Sequence, residues 1–232
     1  MLLLKTISIA FLGAVLCLDR LCFQLMISRP VVTGPVIGLV LGDIRTGLLV
    51  GAFLELLWVD KPALGNYIPP NDSLLTVVIT SALILSGHGN APVSRELIVL
   101  ALLVMLPLSG VSQKMDIWLI TSNDKYSDAA FDDARRGDGT AIEKKHLFAL
   151  FRTFLAFVLF NFIFILAGTA LLNILFPMLS PSILKALGMV YIGFPVLMAA
   201  IALNTIKQRG DIPAFCALFV VAFIVFEFAY GL

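Results

Sequence analysis

Glu55 follows Gly47 and Gly51 at the same four-residue step, inside the apolar stretch 47–59. That spacing puts its carboxylate on the same helical face as the two glycines. An ionisable group within an apolar segment is costly unless paired or hydrated, and is a functional residue by default. Carboxylates also accept strong charge-assisted hydrogen bonds from hydroxyl groups, which suits them to a sugar. The competing reading is an ion pair with Arg45, Arg29 or a partner chain. Asp43 lies between two apolar runs, beside Arg45 and Thr46. It suits either a substrate contact or the N-cap of the helix that follows. Asn66, Asn71 and Asp72 surround the Pro69-Pro70 pair, where polar side chains either project into a cavity or serve a turn. These five residues are the substrate-binding candidates.

Covalent chemistry is not expected. His88 and His146, the two histidines, have no nucleophile or metal-ligand motif around them. Cys17, Cys22 and Cys216 lack CxxC or Cys/His metal spacing and read as small apolar residues of membrane helices. There is no phosphate-binding glycine loop, GxSxG or HExxH. An enzyme acting on lipid head groups would need clustered aspartates, and the adjacent pair Asp132-Asp133 is not repeated. Neither catalytic residues, nor a metal, nor a cofactor is expected.

The elements that must position these residues lie in a membrane. Of 232 residues, 60% are hydrophobic and only 13% charged, against about half and a quarter in soluble domains. Several apolar stretches approach the ~20 residues that cross a bilayer as a helix. A net charge of +1 gives nucleic acid no basic surface to bind. Residues 2–18 imitate a signal peptide but lack a small-x-small cleavage site, and are expected as a retained first helix.

Residues 31–42 and 47–59 are each too short to span comfortably and are separated by Asp43-Ile44-Arg45-Thr46. Such segments read as re-entrant or broken helices, whose backbone ends must be covered by protein or a water-lined cavity. Gly34, Gly38 and Gly42, then Gly47 and Gly51, recur every four residues. Small residues at this interval let helix backbones approach closely, so all five are packing candidates. Residues 74–87 and 97–112 form either a second broken hairpin or two compact tilted helices.

Residues 113–146 hold 13 of the 31 charged residues, six of them Lys or Arg. They are expected as a charged loop, helical in parts, on the cytoplasmic side. It serves as a solvated linker or as a docking surface for a soluble partner. Apolar segments at 146–176, 187–206 and 212–230 close the chain. The basic connector 207–211 again points inward, which places the C-terminus outside. The whole is read as one membrane domain in three parts, 1–112, 113–146 and 147–232.

The string Ser28-Arg29-Pro30, Gly38, Gly42-Asp43, Thr46-Gly47, Gly51 and Glu55, followed by Leu64-Gly65, Pro70-Asn71 and Gly87-His88, resembles the enzyme IIC signature of the mannose/fructose/sorbose phosphotransferase family. The close likeness covers about 60 residues. It implies an all-α, multi-pass subunit of the cell inner membrane with elevator-like displacement. It also implies a IID-like membrane partner, trimers of IIC–IID pairs, and soluble IIA and IIB proteins that phosphorylate an incoming hexose or amino sugar. Glu55 and the 66–72 loop would belong to the sugar core. The alternative is a secondary permease or substrate-binding membrane module without phosphotransfer.

Overall fold

The computed structural model describes residues 2–59, 67–87 and 93–205, with eight α-helices and no strand among them. Helix α1 (Leu2–Leu18) opens the chain. Its early hydroxyls bond back to the preceding turn, Thr6 Oγ1 to the Leu2 carbonyl and Ser8 Oγ to the Leu4 carbonyl, both at 3.0 Å. Polar side chains are thereby satisfied without leaving the helix. A tight connector follows, organised by buried Asp19, whose carboxylate accepts from the Leu25 and Ser28 amides at 2.9 and 3.3 Å.

Helices α2 (Pro30–Leu41) and α3 (Ile44–Trp58) form an antiparallel hairpin. Pro30 stands at the first position of α2, where a missing N–H costs nothing. Close backbone contact runs the length of the pair. A Cβ on Gly34 would lie 2.3 Å from the Gly47 carbonyl oxygen, and one on Gly47 would lie 2.2 Å from that of Gly34. Gly51 meets the Pro30 oxygen at 2.3 Å and Gly38 the Asp43 oxygen at 2.5 Å in the same sense. No side chain fits at these four positions. Gly42 departs from the expected packing role. Nothing lies within 4 Å of its would-be Cβ, and its φ of +91° makes it the left-handed residue that ends α2. Glycine is needed there for its backbone freedom.

Helix α4 (Asp72–Ser86) is the centre of the domain. Twelve of its 15 residues are buried, since α1, α2, α3 and α7 all pack around it. Helix α5 (Arg95–Met105) begins at a Ser94 cap and meets α6 (Leu108–Arg135) at a 45° bend. Pro107 lies in that break; proline has no amide hydrogen and crowds the preceding turn. The segment 97–112 is therefore a bent helix pair that continues far beyond it.

The largest difference from expectation is at 113–146. Apart from a turn at residues 136–138, it is helical throughout: the length of α6, then the start of α7 (Gly139–Leu175). Charge composition reports that a segment leaves the hydrocarbon, not that it loses its helix. Gly137 (φ +73°) makes the turn, and Asp138 caps α7 by accepting from the Ala141 amide at 3.1 Å. The Thr140 hydroxyl first, and that amide second, hold the Asp138 carboxyl below its ordinary range. The two helices are tied by the Lys145–Asp133 ion pair, by the Tyr126 and Phe148 rings, and by Arg152 donating to the Ser122 carbonyl and Asn123 Oδ1.

With 37 residues, α7 is ~55 Å long, well beyond one bilayer crossing. Arg152 lies over the Trp118 ring at 4.9 Å, an arrangement suited to the membrane–water boundary. A short 3₁₀ turn, Phe176–Met178, leads to α8 (Pro181–Thr205). Among the described residues, α7 and α8 are long and apolar enough to cross a membrane, and the bent α5–α6 pair makes a third candidate. The expected segment 212–230 lies outside the described residues. Exposed Leu155, Leu159 and Ile163 on α7, and Met189, Ile192 and Val196 on α8, give these helices apolar outer faces, as lipid or a membrane partner requires.

The α2–α3 contact generates a direct test. Gly47→Ala forces a methyl group into the Gly34 carbonyl, and backbone cannot swing away. Overpacking of this kind costs about 1–3 kcal/mol. The purified protein should unfold at a distinctly lower temperature in detergent, whereas Gly110→Ala, where nothing lies within 4 Å, should leave the midpoint unchanged. Equal midpoints for the two variants would overturn the close-packed hairpin.

Candidate functional site

The register of the glycine hairpin decides where Glu55 goes. Gly51 packs on the Pro30 carbonyl, so the next four-residue step along α3 carries Glu55 past the beginning of α2. There Glu55 Oε1 accepts from Arg29 Nη1 at 2.6 Å, and Oε2 faces the Val31 amide at 3.4 Å. The carboxylate thus sits at the N-terminal end of α2, where the helix dipole favours negative charge. Of the partners that the sequence left open, Arg29 is the one engaged. Glu55 is 18% exposed and Arg29 52%, so the pair is open to water on the arginine side.

A cavity of about 340 Å³ opens at this point, between the α1–α2 connector, the end of α3 and the start of α4. Glu55 and Asp72 are its carboxylates, and Arg29 and Arg20 its guanidinium groups. Asp72 reaches the cavity from the first turn of α4, with Arg20 Nη1 at 3.9 Å and the Ser73 amide donating at 2.9 Å. Ser73 Oγ donates to the Ser28 carbonyl at 2.5 Å and locks α4 to the connector. Trp58, at the end of α3, adds an aromatic wall. Carboxylates that accept, guanidinium groups that donate and an apolar ring face together suit a polyhydroxylated ring with one apolar side.

The other candidates are placed differently. Asp43 is 6% exposed and fully engaged: it accepts from the Thr46 amide at 3.0 Å, the Thr46 hydroxyl at 2.6 Å and the Val93 amide at 3.3 Å. It caps α3 and anchors the segment before α5, and it does not line the cavity. Asn71 caps α4 through Oδ1, accepting from the Leu74 amide at 3.1 Å, while its Nδ2 donates to the Asp116 carboxylate at 3.0 Å. The Asn71 amide in turn donates to Ser112 Oγ at 3.2 Å. Asn71 therefore ties the 67–72 segment to α6. Asn66 lies outside the described residues. Among those residues, no cluster of three His, Cys, Asp or Glu side chains forms a metal site.

Sequence reasoning did not single out Arg20, Trp58, Ser73, Ser112 or Asp116. Arg20 had one legible signal, a lone cation at the end of an apolar helix. Asp116 had its counterpart, a lone acid where an apolar stretch becomes polar.

Short helices paired backbone to backbone, longer apolar helices around them and a charged cavity at their ends define an all-α integral membrane protein. The family model of the PTS system sorbose-specific IIC component matches residues 3–229, and the chain belongs to that family. It is 39% identical over 85 residues to the putative N-acetylgalactosamine permease IIC component 2 of Escherichia coli K12, covering 37% of this chain and 64% of that one. The PTS system mannose-specific EIIC component of the same strain is 26% identical over 151 residues, 64% of this chain and 54% of the relative. The sorbose-specific EIIC component of Klebsiella pneumoniae is 26% identical over 147 residues, covering 63% of this chain and 52% of that one. Each match spans less than two thirds of the relative's own length. A solved membrane protein superimposes with a TM-score of 0.72 at 23% identity, covering 94% of this chain and 85% of that one. The structure of the mannose transporter ManYZ with microcin E492 gives 0.61 at the same identity and coverage.

The cap geometry separates Asp43 from the cavity residues experimentally. Asp43→Ala removes the cap and the acceptor of the Val93 amide, a loss of about 0.5–2 kcal/mol for the cap itself. The unfolding midpoint in detergent should fall, and ligand affinity of the protein that remains folded should not change. A selective loss of affinity at unchanged stability would instead place Asp43 in binding.

Proposed function

We propose that the chain is the sugar-translocating IIC subunit of a mannose-type phosphotransferase system in the cytoplasmic membrane. One observation carries the reading: Glu55 and Asp72, each with a guanidinium partner, face one cavity beside Trp58. A hexose or amino sugar would bind there, its hydroxyls donating to the two carboxylates. Asn66, four positions before Pro70 in sequence, is proposed to complete the site. Asn71 and Asp43 are proposed to act through the helices they cap. The rigid glycine hairpin and α4 would carry the bound sugar as a unit, in an elevator-like displacement against surrounding helices.

The same reading supplies the partners. A IID-like membrane subunit would cover the apolar faces and short helix ends, with the pairs assembled as trimers. The names of the relatives and the ManYZ fold support this pairing. Phosphorylation of the sugar would fall to soluble IIA and IIB proteins. The α6–α7 hairpin, with its six Lys and Arg within 113–146, is proposed to face the cytoplasm, where such proteins would dock. A cysteine at exposed position 127, introduced as Ser127→Cys, should resist an impermeant maleimide in intact cells and react after lysis. Ready labelling from outside would reverse the topology.

Glu55→Gln tests the site. Loss of charge-assisted bonds should weaken sugar binding to the membrane complex by about 1–3 kcal/mol, tenfold or more. Assembly should persist, because Arg29 is half-exposed and stays hydrated without its partner. Calorimetric affinity and gel-filtration profile are read together. Wild-type affinity in an intact complex would remove Glu55 from the binding site.

A further inference from the structure

Among the described residues, the contacts between α6 and α7 leave a half-buried cation without an anion. Arg152 donates through Nη1 to the Ser122 carbonyl at 3.2 Å and to Asn123 Oδ1 at 3.0 Å. Both acceptors are neutral. The ion pairs of the described residues are Arg20–Asp72, Arg29–Glu55 and Lys145–Asp133, so Arg152 has no carboxylate there. A guanidinium carries five N–H donors, and those on Nε and Nη2 remain for another acceptor. Withdrawing a charge from water is costly unless an opposite charge meets it.

The surroundings of Arg152 combine cations with apolar surface. Its guanidinium lies 4.9 Å from the centre of the Trp118 ring, which is 54% exposed. Two turns along the same face of α6, Lys125 stands over Tyr126 at 5.1 Å, and Tyr126 meets Phe148 of α7 edge-on. Lys114, one turn before Trp118, is exposed and shares that face. The exposed surface also changes character at this level. Away from the Gly137 turn it presents Ile117, Leu155 and Leu159; toward the turn it presents Asp124, Lys125 and Asp128. Tryptophan collects at such a level in membrane proteins, and a lysine one turn deeper can extend back to it.

We propose that the groove between α6 and α7, at Trp118 and Arg152, seats the headgroup of an anionic phospholipid. The phosphate accepts charge-assisted hydrogen bonds from Arg152. Lys114 and Lys125 add attraction for net negative charge, and the acyl chains lie along Leu155 and Leu159. An acidic segment of a soluble protein would satisfy the cations but not the apolar faces beside them. The site is separate from the Glu55 cavity and does not depend on what that cavity binds.

The test uses the membrane complex extracted with its native partners and stripped of lipid. It is titrated with phosphatidylglycerol, with phosphatidylcholine or with inorganic phosphate, and bound lipid is counted by native mass spectrometry. Phosphatidylglycerol should fill a site about fivefold or more tightly than phosphatidylcholine, the effect of one basic side chain on an anionic lipid. Arg152→Gln should remove that preference. Trp118→Leu should reduce it as well; that indole N–H has no acceptor among the described residues, so this variant decides the matter if Arg152→Gln disturbs the helix pair. Lys185→Gln, at an exposed cation on α8, should leave the preference unchanged. Equal binding of the two lipids, a preference that survives both Arg152→Gln and Trp118→Leu, an equal loss in Lys185→Gln, or displacement of the lipid by inorganic phosphate overturns the site.

Discussion

The structure depends on the contact of two backbones. Between α2 and α3 the pairs Pro30–Gly51, Gly34–Gly47 and Gly38–Asp43 meet at distances that exclude any Cβ. Within a bilayer there is no hydrophobic gain from bringing two apolar helices together, so association relies on packing density and weak polar contacts. Glycine at every fourth position maximises both. It also fixes the register, since a slide of one residue would drive side chains into carbonyl groups. That register is what delivers Glu55 to Arg29 and to the first turn of α2.

A hairpin of two helices, 12 and 15 residues long, cannot span a bilayer by itself. Its ends must be satisfied within the protein, and the local structure supplies the means. Gly42 closes α2 in the left-handed conformation, and Asp43 caps α3 while holding the Val93 amide. Asp19 gathers the amides of the α1–α2 connector. Helix α4, buried nearly all round, takes its place at the centre, and its N-terminus brings Asp72 to the cavity that the hairpin leaves open. Around the cavity, charge sits where short helices end, because that is where backbone and side chains require polar surroundings.

The charged cavity and the polar hairpin are joined by one continuous element. Helix α6 carries Ser112 and Asp116, which hold Asn71, and continues to the turn at Gly137. The segment that bears Asp72 is therefore anchored on a helix that runs on into the charged α6–α7 hairpin. Its charged half is held as helix by α7 alongside it, through the Lys145–Asp133 ion pair and Arg152 donating to Asn123 Oδ1.

Much of this was legible in the residues themselves. The glycine period pointed to close helix packing, which four of the five glycines make while Gly42 ends α2, and Glu55 shares that period, so an inward-facing carboxylate followed from spacing. Hydropathy likewise marked α1, α7 and α8 as membrane helices, and Pro69-Pro70 marked a break before α4. Other features depend on residues distant in sequence and could be decided only by the tertiary structure. Spacing could not choose between Arg29 and Arg45 as the partner of Glu55; the antiparallel register did. Asp43 read as a cap or a ligand, and the structure shows the cap, with Oδ2 shared between the Thr46 hydroxyl and the amide of Val93, 50 positions away. Asn71 finds Asp116 45 positions on, and Arg20 finds Asp72, contacts with no local signature. The helical state of 113–146 also lay beyond composition, because charge determines which solvent a segment prefers, whereas the partner helix alongside it determines whether it stays folded.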